Sequence, residues 1–436
     1  MKMKKWLLLA LMLLPSLALA EETPTLDSGD TAWMMMSAAL VLLMTPAGLA
    51  LFYGGMTRSK NVLNTYAMVF MAFMVAFVAW IVAGYSVAFG NGGGLQSFMG
   101  GFDNMFLNGI KWNDLSGTYP TYVFVVFQGT FAAITVAIAS GSVIERIKFS
   151  TWLVFVAIWT IVVYAPVTHM VWGGDGALLF DAGALDFAGG TVVHMNGGLA
   201  GLVLAVLVGK RKGFAKVAMK PMSVMLTALG GALLWFGWFG FNGGSAFGAN
   251  SVAGLAYLTT ALAPAAAAIT WVLIEYVVYK KATLLGGVSG LVAGLVAITP
   301  AAGFVDVSGA FIVGVLGSAI AFFGVDVLKK KLAYDDSLDA FGIHFLAGLW
   351  GALATGFLAV NDQDLLWDGP LKATGDRMGQ VMVQLESILV VGLFTLVGTV
   401  VVYYIASALT GGGRVDEETE EIGLDETVHG EKVINL

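Results

Sequence analysis

His194-Met-Asn-Gly-Gly-Leu-Ala-Gly201 and His344-Phe-Leu-Ala-Gly-Leu-Trp-Gly351 are two copies of one pattern, H-x-x-[GA]-G-L-x-G, each inside a long apolar run. A shorter echo pairs Phe52-Tyr53-Gly54-Gly55 with Phe241-Asn242-Gly243-Gly244. Around these motifs the chain divides into eleven apolar spans, at approximately 32 to 54, 66 to 89, 120 to 143, 151 to 172, 188 to 209, 222 to 241, 252 to 279, 283 to 299, 304 to 328, 340 to 360 and 380 to 409. The histidine motif falls in the fifth and tenth spans, and the echo ends the first and sixth. Because five is odd, a second set of five spans enters from the opposite face, and inverted repeats of this kind are a transporter architecture. The sequence therefore predicts an all-α integral membrane protein of eleven transmembrane helices: two inverted five-helix repeats plus a peripheral eleventh helix.

Composition agrees. Of 436 residues, 58% are hydrophobic and 12% charged, against about 25% charged in soluble chains, and mean hydropathy is +0.84. Such a chain cannot cover itself with a hydrated surface, so its solvent is the lipid bilayer. The 57 glycines predict close helix packing, since small residues let transmembrane helices approach. Zero cysteines exclude disulfides, zinc–thiolate sites, iron–sulfur clusters and a cysteine nucleophile.

Residues 1 to 20, MKMKKWLLLALMLLPSLALA, have a lysine-rich start, an apolar core from Trp6 to Leu14 and a small-residue end, the pattern of a cleaved secretory signal. The alternative, a retained first helix, has an apolar core short of the roughly 20 residues a span needs. Cleavage removes three of the 22 basic residues and leaves 19 against 29 acidic, a net charge of −10, which excludes nucleic acid as a partner. Sixteen of those 19 fall in one alternate set of loops, with Arg58, Arg146, Lys210, Lys280, Lys330 and Arg414 among them; only Lys111, Lys372 and Arg377 fall in the other. The positive-inside rule places the richer set in the cytoplasm. The expected location is a bacterial inner membrane, with the mature N-terminus periplasmic and the C-terminus cytoplasmic.

A histidine in hydrocarbon is costly unless satisfied, and ionisable residues at depth mark function by default. The competing reading is a histidine that only fixes helix packing; the matched positions of His194 and His344 favour function. Equivalent residues near the axis of such a repeat meet close to mid-membrane, so the two rings are expected to face each other. A neutral imidazole donates from one nitrogen and accepts on the other, so the pair forms a polar rail for a small, neutral, polar solute. Metal ligation is not expected, because no third ligand is evident and Asp186, eight residues before His194, lies roughly 80° off its helix face. Asp186 reads either as the N-cap of the fifth span or as a carboxylate that holds a receiving site and biases it toward cations. The outward-facing segments hold Phe127, Phe131, Trp172 and, beside Ser245, Trp238 and Phe241. Singly, such rings belong to a lipid-facing belt. Together they offer a cation–π contact at Trp172, worth about 0.5 to 2 kcal/mol, with Ser245 as hydrogen-bond acceptor, which suits a small ammonium-like cation.

On PAGLALFYGG (46 to 55), FQGTFAAITVAIASGSVIERI (127 to 147), APVTHMVWGG (165 to 174), GALDFAGGTVVHMNGG (183 to 198), WFGFNGGSA (238 to 246), TPAAGFV (299 to 305), DAFGIHFLAGLWG (339 to 351) and VQLESI (383 to 388), the chain resembles the Amt/Mep/Rh ammonium transporters, most closely the proteobacterial Amt type, over essentially its whole mature length. The resemblance implies an outer ammonium-binding site at Trp172, Phe131 and Ser245, supported by Asp186. It implies a pore gate of stacked Phe131 and Phe241, and a conducting path along His194 and His344. Trp238, Thr299, Phe127 and Gln128 would line the pore or neighbour it. It further implies a homotrimer with one pore per protomer and no cofactor.

The resulting division is a signal at 1–20, a transporter domain at 21–410 (repeat one 32–209, repeat two 222–360, helix eleven 380–409) and a tail at 411–436. Composition reads the acidic tail as disordered; the resemblance makes it a cytoplasmic regulatory segment that couples to a PII-type protein. A bare cation at bilayer depth costs at least about 2.5 to 3.5 kcal/mol. The expected cargo of the pore is therefore ammonia, formed from recruited ammonium, with the proton crossing, if at all, by a separate route. The rival expectation is an ammonium sensor that signals through the tail, against which no appended kinase or cyclase domain follows residue 409. An enzyme is not expected: no metal triad or nucleophile motif is present, and Asn91-Gly92-Gly93-Gly94 lacks the strand–turn–helix context of a nucleotide loop.

Overall fold

Inside a bilayer the backbone has no partner but itself, so long apolar runs coil into helices. The computed structural model, which describes residues 25–360 and 376–433, is all-helical but for one two-residue hairpin, Leu115–Ser116 with Tyr119–Pro120. Its principal helices are α1 Ser28–Met56, α2 Val62–Phe89, α3 Thr121–Ser140, α4 Phe149–Trp172, α5 Gly190–Val208, α6 Val224–Gly244, α7 Ser251–Tyr279, α8 Leu284–Ile298, α9 Val307–Leu332, α10 Phe341–Leu358 and α11 Arg377–Leu409. Ten of these are long and apolar enough to cross a membrane; α8 has 15 residues. Hydrogen-bonded turns over 299–305, which include Pro300, follow it. Each helix lies within a few residues of its expected span. The signal segment and Lys372 lie outside the described residues.

Polar side chains set the helix starts. Asp27, Ser223, Asn250, Thr283, Asp306 and Asp376 each accept a backbone N–H from the first turn of α1, α6, α7, α8, α9 and α11, satisfying donors that no intrahelical carbonyl can reach. α6 packs on α1, α7 on α8 and α9, and α11 runs along α4, α5 and α10. α5 and α10 both open with a π-helical turn, Gly190–Met195 and Phe341–Leu346, and each turn contains its histidine. Such turns recur at functional sites.

One face of the bundle gathers charge. Arg58 and Arg211 both pair with Glu145, at 2.6 and 3.0 Å, and Arg211 also pairs with Asp335 at 2.7 Å. Against this cluster the acidic tail folds as α12 Glu417–Ile422 and α13 Leu424–His429, which corrects the disordered reading. Composition overlooks partners supplied by the rest of the chain: Asn61 Oδ1 accepts from Leu424 N at 2.8 Å, Asp425 accepts from Asn64 N at 2.8 Å at the start of α2, and Arg414 pairs with Glu420 at 2.7 Å.

Burial pushes the Glu145 carboxyl up, but hydrogen bonds and charge from Arg58 and Arg211 outweigh it and hold the group below its ordinary range; Arg211 and Arg146 do the same for Asp335. A carboxyl depressed in the folded state contributes stability that is present above the unfolded value, about 4, and is lost as pH falls through the folded one. The unfolding temperature of the purified protein is expected to drop between pH 5 and pH 3, with a shallower slope in Glu145→Gln. A flat wild-type profile would contradict this.

Candidate functional site

The two histidines meet. His194 Nδ1 lies 3.3 Å from His344 Nδ1, and the rings are 5.4 Å apart at 21°. The repeated motif explains the approach. A Cβ on Gly198, four residues after His194, would stand 2.6 Å from Phe345 N, and one on Gly348, four after His344, would stand 2.9 Å from Gly190 O and 3.2 Å from His194 Cβ. Each glycine therefore clears space for the other motif's histidine turn. Larger residues at either position would push α5 and α10 apart and separate the rings.

On the side away from the tail, the rings form a continuous line. Phe131 and Phe241 stack at 4.0 Å and 10°, and Phe241 lies 5.9 Å from His194. The half-buried Trp172 stands edge-on to Phe131 at 6.3 Å and 75°. Phe127, one helical turn before Phe131 on α3, touches it at 4.8 Å. Trp238 stacks on His194 at 5.2 Å and 20°, and its indole donates to Thr299 Oγ1 at 2.9 Å, so Thr299 orients the ring. The Ser245 hydroxyl donates to Phe241 O at 2.8 Å, leaving its oxygen lone pairs to accept. Gln128 sits about 100° round the helix from Phe127; it is buried, and its Oε1 has no hydrogen-bond partner among the described residues.

Asp186 is placed as the cap that the first of its sequence readings expects. Its carboxylate accepts from the backbone of Gly189, Gly190, Thr191 and Val192 and from Thr191 Oγ1, at 2.5 to 3.0 Å, so both oxygens are spent on the start of α5. Gly189 makes the turn at φ 110°, a conformation open to glycine. The Asp186 carbonyl accepts from the Trp172 indole at 2.8 Å, so one residue holds the outer ring and the histidine helix together.

Asp336 was not singled out from the sequence. It accepts from Ala340 N and Phe341 N at the start of α10, at 3.2 and 2.8 Å, and precedes His344 by the same eight residues that separate Asp186 from His194. That shared spacing was a readable signal. His169, also buried in an apolar span, is a structural fastening whose ring nitrogens lie 2.9 and 2.7 Å from the carbonyls of Ala88 and Gln96. No group of three or more His, Cys, Asp or Glu side chains among the described residues is placed to hold a metal ion.

Residues 32–434 match the model of the Ammonium Transporter Family. The chain is 46% identical over 426 residues to an ammonium transporter of Aquifex aeolicus, covering 97% of this chain and 96% of that one. Its fold is similar to the crystal structure of Saccharomyces cerevisiae Mep2, with TM-score 0.83, 33% identity and coverage of 90% and 89% of the two chains. It is also similar to a solved Sensor Amt Protein, with TM-score 0.84, 27% identity and coverage of 92% and 98%. A match of that extent, on a chain whose helices already read as multiply membrane-spanning, establishes that the protein belongs to the ammonium transporter family, a family of transporters and not of enzymes.

Proposed function

We propose that the protein carries ammonium across a bacterial inner membrane by recruiting the cation at an outer aromatic site, deprotonating it and conducting ammonia past His194 and His344. The observation that carries this reading is the unbroken line Trp172, Phe131, Phe241, His194, His344. Trp172 offers a ring face to the cation, and Ser245 offers an acceptor. Behind the stacked phenylalanines the surroundings are apolar, where a full charge is penalised, so the proton leaves at the gate. The nitrogen lone pair and N–H groups of ammonia then exchange hydrogen bonds with the paired imidazoles; the proton is left to a separate route.

The remaining parts follow from the same account. α8 with its following turns serves as an eleventh crossing, α1–α5 and α6–α10 are inverted repeats, and α11 wraps the outside. The matched π turns, histidines and aspartates of α5 and α10 support the repeat. The charged face with the tail is cytoplasmic by the positive-inside rule, which leaves Trp172 periplasmic after signal cleavage. The protein works as a homotrimer with one pore per protomer, and the tail meets a PII-type regulator. A sensing role has one observation in its favour, the ordered tail seated on the start of α2 and the charged cluster. Truncation after Thr410 separates the two roles: normal flux with lost signalling favours sensing.

Trp172→Leu tests the recruiting step. Loss of about 0.5 to 2 kcal/mol of cation–π attraction is expected to raise the half-saturating ammonium concentration roughly 2- to 30-fold in proteoliposomes. An unchanged value would overturn the recruiting site.

A further inference from the structure

α11 stands outside the proposed repeats, yet it carries a buried polar row: Gln380, Gln384, Ser387, Thr395 and Thr399. Thr399 Oγ1 accepts from the Trp159 indole at 3.0 Å, and Thr395 donates to Asn196 Oδ1 at 2.8 Å, ties that hold helix to helix. Gln384 does something different. Its Oε1 accepts from Leu185 N at 2.7 Å, while its Nε2 donates to Leu185 O at 2.7 Å and to Ala352 O at 2.9 Å. One side-chain amide thus holds both backbone groups of Leu185 and a carbonyl of α10.

The held residue is informative. Leu185 immediately precedes Asp186, whose carbonyl holds the Trp172 indole and whose carboxylate caps the helix of His194. Ala352 lies eight residues past His344 on the other histidine helix. Gly356, one turn further along α10, leaves the room: a Cβ there would come 3.1 Å from Gln384 Cγ. A loop with no regular structure between Gly183 and Gly189 has no helical bonds of its own to fix it, and a buried amide in this setting is costly unless paired. Here three of its four bonds go to the backbone around the site, and the fourth comes from Gln380 Nε2, one turn earlier on α11, at 3.2 Å.

We propose that Gln384 is a positioning residue for ammonium recruitment: by clasping Leu185 against α10 it keeps Asp186, and through it Trp172, in register with the two histidine helices. The proposal rests on the reading of Trp172 as the recruiting ring. It gives the helix outside the repeats a role in substrate capture without contact to substrate.

A double-mutant cycle in proteoliposomes tests it, with half-saturating ammonium concentration and maximal rate read for wild type, Gln384→Met, Trp172→Leu and the double variant. Gln384→Met keeps a similar volume and removes all three bonds to the backbone together with the one from Gln380. It is expected to raise the half-saturating concentration about fivefold, the change that one lost hydrogen bond's net contribution produces, with the maximal rate within about twofold. In the Trp172→Leu background the same change is expected to be under about twofold, because coupled residues are non-additive. Gln384→Glu, which keeps the acceptor toward Leu185 N, gives a smaller rise and replaces the Met variant in the cycle if that one does not assemble. Equal effects in both backgrounds, or a fall in maximal rate with half-saturation unchanged, would overturn the proposal alone. Trp172→Leu with unchanged half-saturation would overturn the recruiting reading, and this proposal with it.

Discussion

Asp186→Ala is expected to leave little folded protein in the membrane and no measurable ammonium flux. The carboxylate takes five hydrogen bonds from residues 189 to 192, and the side chain is only 6% exposed. Alanine would orphan all five donors at the start of α5. Each buried donor without a partner costs about 1 to 3 kcal/mol, so even with partial relaxation the loss is comparable with a typical net stability of about 5 to 15 kcal/mol. Asp186→Asn keeps one acceptor oxygen but turns an amide toward N–H groups, so an intermediate yield is expected. Size-exclusion profiles and unfolding temperatures of the detergent-extracted variants check this order. Wild-type stability in Asp186→Ala would show that α5 does not depend on its cap.

The second large effect belongs to the histidines and concerns transport without folding. His194→Leu and His344→Leu replace one polar ring of a facing pair by an apolar side chain of similar reach. Ammonia passing there would lose at least one hydrogen bond where no water substitutes, and an unmade bond in such a place costs roughly 1 to 3 kcal/mol, which is about 5- to 150-fold in rate. Because the rings form one unit, with Nδ1 atoms 3.3 Å apart, the double variant is expected to be little worse than either single one. Stopped-flow flux in liposomes, normalised to assembled protein, reads this directly. Two losses that multiply would mean that each histidine acts independently.

The helices were legible in the sequence because hydrocarbon demands length and apolarity together, and both are properties of a single segment. The paired histidines were legible because their motif recurs, and the glycines of that motif have a visible physical reason in Gly198 and Gly348. What escaped the sequence reading is what depends on distant partners. Gln384 meets Leu185 across 199 residues, and nothing local marks it. The π turns of α5 and α10 leave no periodic signature in helices apolar on most faces. Asp336 is the exception, since its spacing to His344 repeats that of Asp186 to His194 and was available to be read. The tail was misread for a related reason: its acidic residues look unpartnered until Lys60, Lys212 and Arg414 are brought onto the same face.

The most direct test of the conducting path is an ammonium jump on purified protein in liposomes, with solid-supported-membrane current and internal pH recorded together for wild type and His194→Leu. The account predicts a protein-dependent, ammonium-specific signal from wild type that falls at least about fivefold in the assembled variant. A signal of wild-type size from assembled His194→Leu would contradict it, and the route past the histidine pair would have to be abandoned.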